Sequence, residues 1–426
     1  MAWNCRCASG EVLSSPSTLE GAPSARFEAR REEIIGVATG ILNRRGVRSM
    51  TLAEVAAACG IATTGIAYYF GRKEDLAAAC LVAGLDRLEA MVRAAADAPT
   101  AGERVRRFWT HYFEHKAQVV LGREREIPIL SDIRTLSEPI HTDVSRRYAA
   151  FFQSFRELLR APDLKWLRGE AAWARTHLIL EHLYWLNVWL PWFEIEDYPR
   201  LCERMLDVLF NGVAAGFRPD PAPLEIAPRR ASRDAPPDAF LIAATREVNI
   251  HGFKGASVDR ISASLKRTKG AFYHHMDSKD ELLVAGFERT FEVLREGQSA
   301  ALRTKGDALE QLQLAIVTLL AFQLSPRGPL MRTSALQSLP SARRHVMIER
   351  SNRVTVRFAA MIADGVAQGV MRHVDPLIAA QTVTASINAI ADLRLGPERG
   401  HARAQVGRYM TPILYGLFAP VSEAAR

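Results

Sequence analysis

The sequence predicts an all-α chain made of two tandem units, each a three-helix head followed by a helical body. Three observations carry this. Apolar residues recur at helical spacing through most of the chain, and alternating β-branched runs between turn signals are few. A proline-rich stretch, residues 217–237, separates two segments of similar length. Sliding the chain against itself by about 206 residues aligns Ala38 with Ala244, Asn43 with Asn249, Gly46 with Gly252 and Lys73 with Lys279. A weaker echo at a shift of about 201 pairs Pro128 with Pro329, and Ser137-Glu138-Pro139 with Ser338-Leu339-Pro340. It either extends the duplication through the bodies or is chance.

Residues 1–25 are rich in Ser, Gly, Ala and Pro, without period, and are expected to be a disordered tail. They lack a basic start followed by an apolar core, which argues against a signal peptide. In the first head, residues 26–88, Ile34, Ile35, Ala38, Ile41 and Leu42 share a helical face, and Gly46 supplies a left-handed stop. Thr51-Leu52-Ala53-Glu54 reads as a capping box opening a second helix. Cys59-Gly60 makes a turn, a short third helix runs from Thr63 to Phe70, and Lys73 opens a longer fourth. The second head, residues 238–294, repeats the plan. Its apolar face is Phe240, Leu241, Ala244 and Val248, with a stop at Gly252 and caps at Ser257 and Thr268. Ser278-Lys279-Asp280-Glu281 is a further box. Lys266 stands where the first head has Gly60, so a left-handed turn there costs about 1 kcal/mol. The bodies are expected at residues 89–216 and 295–420.

Three short helices with a tight turn between the second and third form a helix-turn-helix. That arrangement leaves the N-terminus of the third helix free to reach base edges in a major groove. Small residues there, Thr63, Thr64 and Gly65, approach bases closely; Tyr68, Tyr69 and Lys73 suit phosphates. Net charge of +8, from 55 Lys+Arg against 47 Asp+Glu, is a mild bias in the same direction.

The stretch TKGAFYHHMDSKDEL, Thr268 to Leu282, resembles the recognition helix and following turn of the TetR family. GIATTGIAYYFGRKEDL, Gly60 to Leu76, is similar to it with every landmark in order. The resemblance covers roughly 50 residues at each start. It implies base-reading roles near Thr63, Thr64 and Gly65, and near Thr268, Lys269 and Gly270. It implies backbone contacts for Tyr68 and Lys73, and for Tyr273, His274 and Lys279. Thr51, Tyr69 and Ser257 complete the expected DNA-binding set. Ala67 stands where the family usually has the phosphate-binding tyrosine, and Tyr68 takes over from the next position.

The resemblance also implies that each body binds a small effector and dimerises through its last two helices. Two heads in one chain then form an internal pseudodimer, an effector-responsive regulator, expected to repress, on an asymmetric double-stranded operator. The alternative is a ligand sensor or interaction scaffold whose heads no longer grip DNA. All seven tryptophans lie in the first half. His182, Trp185 and Trp189 share a helical face, with Trp173 and His177 one to three turns earlier. They either line an aromatic effector pocket or pack between helices. Arg343, Arg344, Arg350, Arg353 and Arg357 recur at near-helical spacing, as a solvated face or an anion site.

Enzymatic signatures are missing: there is no nucleophile elbow, phosphate loop or ligand-spaced Cys/His cluster. No metal or cofactor is therefore expected. Five scattered cysteines fit a reducing cytoplasm. The most apolar stretch, Leu178 to Phe193, is shorter than a membrane span and contains Glu181, His182, Asn187 and Pro191.

Overall fold

The computed structural model describes residues 24–227, 237–268, 270, 278–391 and 402–420. Among the described residues the chain is helical with no strand; one isolated antiparallel bridge joins Ala214 to Met371. The expected tail up to Pro23, and part of the proline-rich linker, lie outside these residues.

The first head is α1 (Ala25–Arg45), α2 (Leu52–Ala58) and α3 (Thr63–Tyr69). Gly46, at φ +71°, ends α1, because a β-carbon resists the left-handed region. Thr51 caps α2 by accepting from the Glu54 amide. Only this half of the expected capping box forms, since the Glu54 carboxylate turns to Arg45 at 3.1 Å. Helix α4 (Lys73–Ala95) leaves the head and enters the body, where α5 (Ala101–Val120), α6 (Ile140–Leu158), α7 (Gly169–Trp189) and α8 (Tyr198–Asn211) follow. A short 3-10 turn, Leu130–Thr135, precedes α6.

Among the described residues the second unit repeats this order, the expected third helix of its head lying outside them. Its head contains α9 (Asp238–Gly255) and α10 (Val258–Ser264). Its body contains α11 (Lys279–Leu302), α12 (Ala308–Leu324), α13 (Ser341–Ala367), α14 (Pro376–Ala389) and α15 (Ala402–Tyr415). Gly252 at φ +66° and Ser257, accepting from the Arg260 amide, repeat the punctuation of Gly46 and Thr51. A second 3-10 turn, Thr333–Ser338, precedes α13. The weak echo is thus structural: Pro139 and Pro340 each stand as the residue before the helix that follows the turn.

One hydrogen-bonded latch occurs in both halves. Asn43 on α1 donates to the Ile127 carbonyl at 3.0 Å and accepts from the Ile129 amide at 2.9 Å. Asn249 on α9 donates to the Leu330 carbonyl at 2.9 Å and accepts from the Arg332 amide at 3.1 Å. Each amide side chain satisfies an extended backbone that no ladder serves. It ties head to body at the segment leading into the 3-10 turn.

The halves meet along α7 and α8 of the first body and α14 and α15 of the second. The seam is a continuous core. Ile378, Ala385 and Leu417 join the first cluster, while Ala174, Leu178 and Val208 join the second. Arg175, fully buried, donates to the carbonyls of Leu417 at 2.6 Å and Ala419 at 2.7 Å. Helix α7 is covered nearly all round, which explains its apolar composition without a bilayer. The linker docks rather than swings through residue 227. The Leu224 amide donates to Thr318 at 2.9 Å, Gln313 donates to the Pro219 carbonyl at 3.0 Å, and Ile226 is buried.

Candidate nucleic-acid interface and internal cavity

In the first head, α3 packs through Ile66 and presents its other faces outward. Thr63, Thr64 and Thr51 are exposed, and Gly65 is half-buried against Ile61. Tyr68 is 74% exposed, held edge-on to Phe27 and Tyr69, while Tyr69 stacks on Phe27 at 4.8 Å. This bracing orients the Tyr68 hydroxyl away from the core at little entropic cost. Lys73 is partly occupied otherwise: its ammonium donates to the Arg48 carbonyl at 2.9 Å. It supports the loop into α2 as well as facing solvent.

In the second head, Thr268 and Gly270 are exposed and Ser257 is half-buried as a cap. Lys279 lies over the Phe253 ring at 4.8 Å, and burial together with neighbouring Arg48 and Arg260 lowers its pKa. Lys269, Tyr273 and His274 lie outside the described residues. Lys266 does occupy the left-handed turn, at φ +54°, the one non-glycine residue with positive φ among the described residues. Its counterpart Gly60 has φ +67°.

A cavity of 1230 Å³ lies in the first body and opens toward the second unit. Helices α6 and α7 and residues 127–138 supply most of its wall, with Tyr112 from α5; the second unit adds Ile250 and His251 from α9, and Arg332 and Thr333. Of the five expected pocket residues, Trp173 and His177 line it. His177 meets the Tyr409 hydroxyl of the second unit at 2.7 Å, and its ring lies 5.0 Å from that of Trp173. Burial pushes the His177 pKa down to about 4, so it is neutral. His182, Trp185 and Trp189 do not line the cavity; they are core. His182 faces the Leu178 carbonyl at 2.8 Å, and both indoles are 1% exposed. They share a face of α7, but that face meets α5 and its own body's core, as the contact of His182 with Trp109 illustrates.

Arg134 and Arg332 escaped the sequence reading, although each interrupts an apolar stretch beside a proline-led turn. Arg332 reaches Glu181 of α7 at 3.7 Å, and both side chains are 9% exposed. Arg134 donates to the Asn249 carbonyl of α9 at 3.0 Å. Its neighbour Asp132, its pKa raised to about 6 by burial, accepts from the Val47 amide of the first head at 3.1 Å. The turn Leu130–Thr135 therefore borders the cavity and holds both heads. Of the arginines of α13, Arg343, Arg350 and Arg353 are exposed and Arg344 and Arg357 are half-buried; Arg350 pairs with Glu288 at 3.1 Å.

A helix-turn-helix head and a second head that repeats its first two helices, each leading into a helical body, define the class of a DNA-binding regulator. The family model described as bacterial regulatory proteins, tetR family, matches residues 34–80 and again 241–285. A tetracyclin repressor-like C-terminal domain model matches residues 305–392. The chain belongs to the TetR family and carries two tandem copies of its plan. Among solved structures it is similar to PfmR, a TetR-family transcriptional regulator from Thermus thermophilus. Identity there is 28%, covering 42% of this chain and 98% of that one, with a TM-score of 0.35. It is also similar to a TetR-family regulator from Bordetella parapertussis, at 21% identity, 43% and 94% coverage and a TM-score of 0.36. A third is AibR in complex with isovaleryl coenzyme A and operator DNA, at 20% identity, 42% and 96% coverage and a TM-score of 0.35. No curated protein matches the chain.

Among the described residues no single helix is long and apolar enough to cross a membrane.

Proposed function

We propose that the chain is a transcriptional regulator that works as an internal pseudodimer, reading an asymmetric operator with two different heads. The observation that carries this reading is the turn Leu130–Thr135, which borders one cavity and bonds to both heads, through Val47 and Asn249. A small effector entering the cavity presses on this turn and on Ile250 and His251 of α9. It shifts the head spacing only if it binds better to the spacing that does not fit DNA. The seam of α7, α8, α14 and α15 takes the place of a dimer interface. Thr63, Thr64 and Gly65 read bases for the first head, and Thr268, Lys269 and Gly270 for the second. Tyr68, Tyr69, Lys73, Tyr273, His274 and Lys279 contact backbone, and Thr51 and Ser257 present helix starts to it. Binding represses by occupying the operator, and the effector relieves it.

Selection from random DNA, followed by footprinting and solution mass of the complex, tests this. A non-palindromic site of two half-sites about one helical turn apart, bound by one chain, is expected. A perfect palindrome bound by an obligate dimer of chains overturns the pseudodimer. Affinity that is indifferent to salt favours the sensor or scaffold alternative, because phosphate contacts carry a steep salt dependence.

A further inference from the structure

The charged groups at the junction end of the cavity balance one another. Arg134 and Arg332 stand against Glu181 and Asp132: Arg332 reaches Glu181 at 3.7 Å, and Asp132 lies beside Arg134. Both guanidiniums are engaged, Arg134 with the Asn249 carbonyl at 3.0 Å. Elsewhere on the wall Glu170 pairs with Arg408, Glu138 with His141 at 3.0 Å and His251 with Glu247 at 3.9 Å. Arg156 is half-exposed, where water serves its charge. His177 is neutral and bonded to Tyr409. A further charge brought into this space would leave water and find no partner, which is costly. The cavity therefore favours an uncharged occupant.

Two phenols of the wall are left without partners. Tyr112 donates to the Leu183 carbonyl at 3.3 Å, but among the described residues the hydroxyls of Tyr148 on α6 and Tyr184 on α7 make no hydrogen bond. Both lie in the field of Glu181 and Arg332, so they stand at the junction end, and burial keeps both protonated. Each thus has an O–H to donate. The amide of Gln405 on α15, a buried residue of the second unit, is likewise unbonded among the described residues. Polar groups inside a protein are costly without partners, so these hydroxyls call for an acceptor oxygen from outside the chain. The remaining wall is apolar and aromatic, with Leu88, Ile133, Phe152, Trp173 and Leu180. In the second body the space between Phe287, Phe291, Leu330 and Phe358 is only 20 Å³, because aromatic side chains of α11 and α13 fill it.

Resting on the effector reading above, we propose that the cavity binds one uncharged, largely apolar carbonyl compound per chain, its oxygen accepting from Tyr148 and Tyr184 at the junction end. The apolar part lies against Phe152, Trp173 and Leu180, and the ligand reaches the second unit at Ile250 and Gln405. A carbonyl oxygen suits the site because it offers two lone pairs to two donors and brings neither a charge nor a proton of its own. The volume of 1230 Å³ exceeds the usual range of about 300–1,000 Å³ for small-molecule pockets, so the apolar part is large. One ligand then serves two heads, because only the first body has room for it and both halves touch it.

The test uses the full chain and fluorescence titration without DNA. The probes are prodan, an uncharged naphthyl ketone whose emission moves to the red when its carbonyl accepts hydrogen bonds, and its larger dodecanoyl homologue. The comparators are the deoxy analogue, with CH₂ in place of the carbonyl, and the naphthalene carboxylate of the same ring. Expected is saturation of the homologue near one per chain, with the carboxylate at least tenfold weaker. Tyr148→Phe and Tyr184→Phe should each weaken the ketone about two- to tenfold and leave the deoxy analogue unchanged, which general damage would not do. The double variant should move the bound emission to the blue. A carboxylate as tight as the ketone, two equivalent sites per chain, no binding by either ketone, or an emission unmoved in the double variant would each overturn the proposal. A second arm adds operator DNA recovered by the selection above. A ketone that binds with this pattern but leaves DNA bound removes the effector reading and keeps the carbonyl site. A deoxy analogue that binds as well as the ketone and releases DNA does the reverse.

Discussion

Replacing Asn249 with Ala removes both bonds of the second latch at once. The Leu330 carbonyl and the Arg332 amide are then left in a buried place, since both bonds lie in the interior. An orphaned buried group costs about 1–3 kcal/mol, so the loss of two partners is about 2–6 kcal/mol. The first latch provides an internal control. Asn43 makes the same two bonds to Ile127 and Ile129 and a third to the Glu126 carboxylate at 2.6 Å, but at a half-buried place where water can replace it. Asn43→Ala should cost about 1–2 kcal/mol. Hydrogen exchange read by mass spectrometry resolves the two sites, because each latch controls local opening of its own head. Amides of α9 should exchange roughly 30-fold to about 20 000-fold faster in Asn249→Ala, on the rule that about 1.4 kcal/mol is tenfold. Those of α1 should be unaffected. A cost under about 1 kcal/mol for Asn249→Ala, or one smaller than that of Asn43→Ala, would refute the reasoning.

Further outcomes follow from single residues. Lys266→Gly should stabilise the second head by about 1 kcal/mol, because only Lys266 carries a β-carbon into the left-handed turn; Gly60→Lys should destabilise the first head similarly, both read by urea denaturation. Burial holds His115, His177 and His182 down to about 4, so they stay neutral in the fold while an unfolded chain protonates them near pH 6.5. The unfolded state thus binds more protons between about pH 6.5 and 4, and stability should fall as pH falls through that window. Asp132, raised to about 6, opposes this as a single group, so a flat melting temperature from about pH 6.5 to 4.5 would contradict the assignment. Tyr68→Ala should weaken DNA binding without changing half-site preference and should leave the salt slope nearly unchanged, because a neutral phenol displaces no counterion, whereas Thr64 substitutions should change preference.

Local chemistry was legible in the sequence. Helix stops at Gly46 and Gly252, caps at Thr51 and Ser257, and even the strained turn at Lys266 depend on residues within a few positions. So does the duplication, which extends from the heads into the latch. The cavity was not legible. The charged groups at its junction end, Arg134, Glu181 and Arg332, are far apart in the chain, and their meeting depends on how the two halves pack. Periodicity placed His182, Trp185 and Trp189 on one face of α7, but it cannot say whether a void or a neighbouring helix stands opposite. The linker likewise shows its composition but not that Thr318 and Gln313 are waiting to hold it.

The seam of α7 and α8 with α14 and α15 has a kinetic consequence. Separate subunits find each other at a rate that falls with concentration, so a scarce regulator spends time unpaired. Here the partner surfaces are on one chain, and re-pairing is a unimolecular event at a fixed effective concentration. Dilution should leave the two heads together. A cell could then keep a few copies and still have every one of them paired.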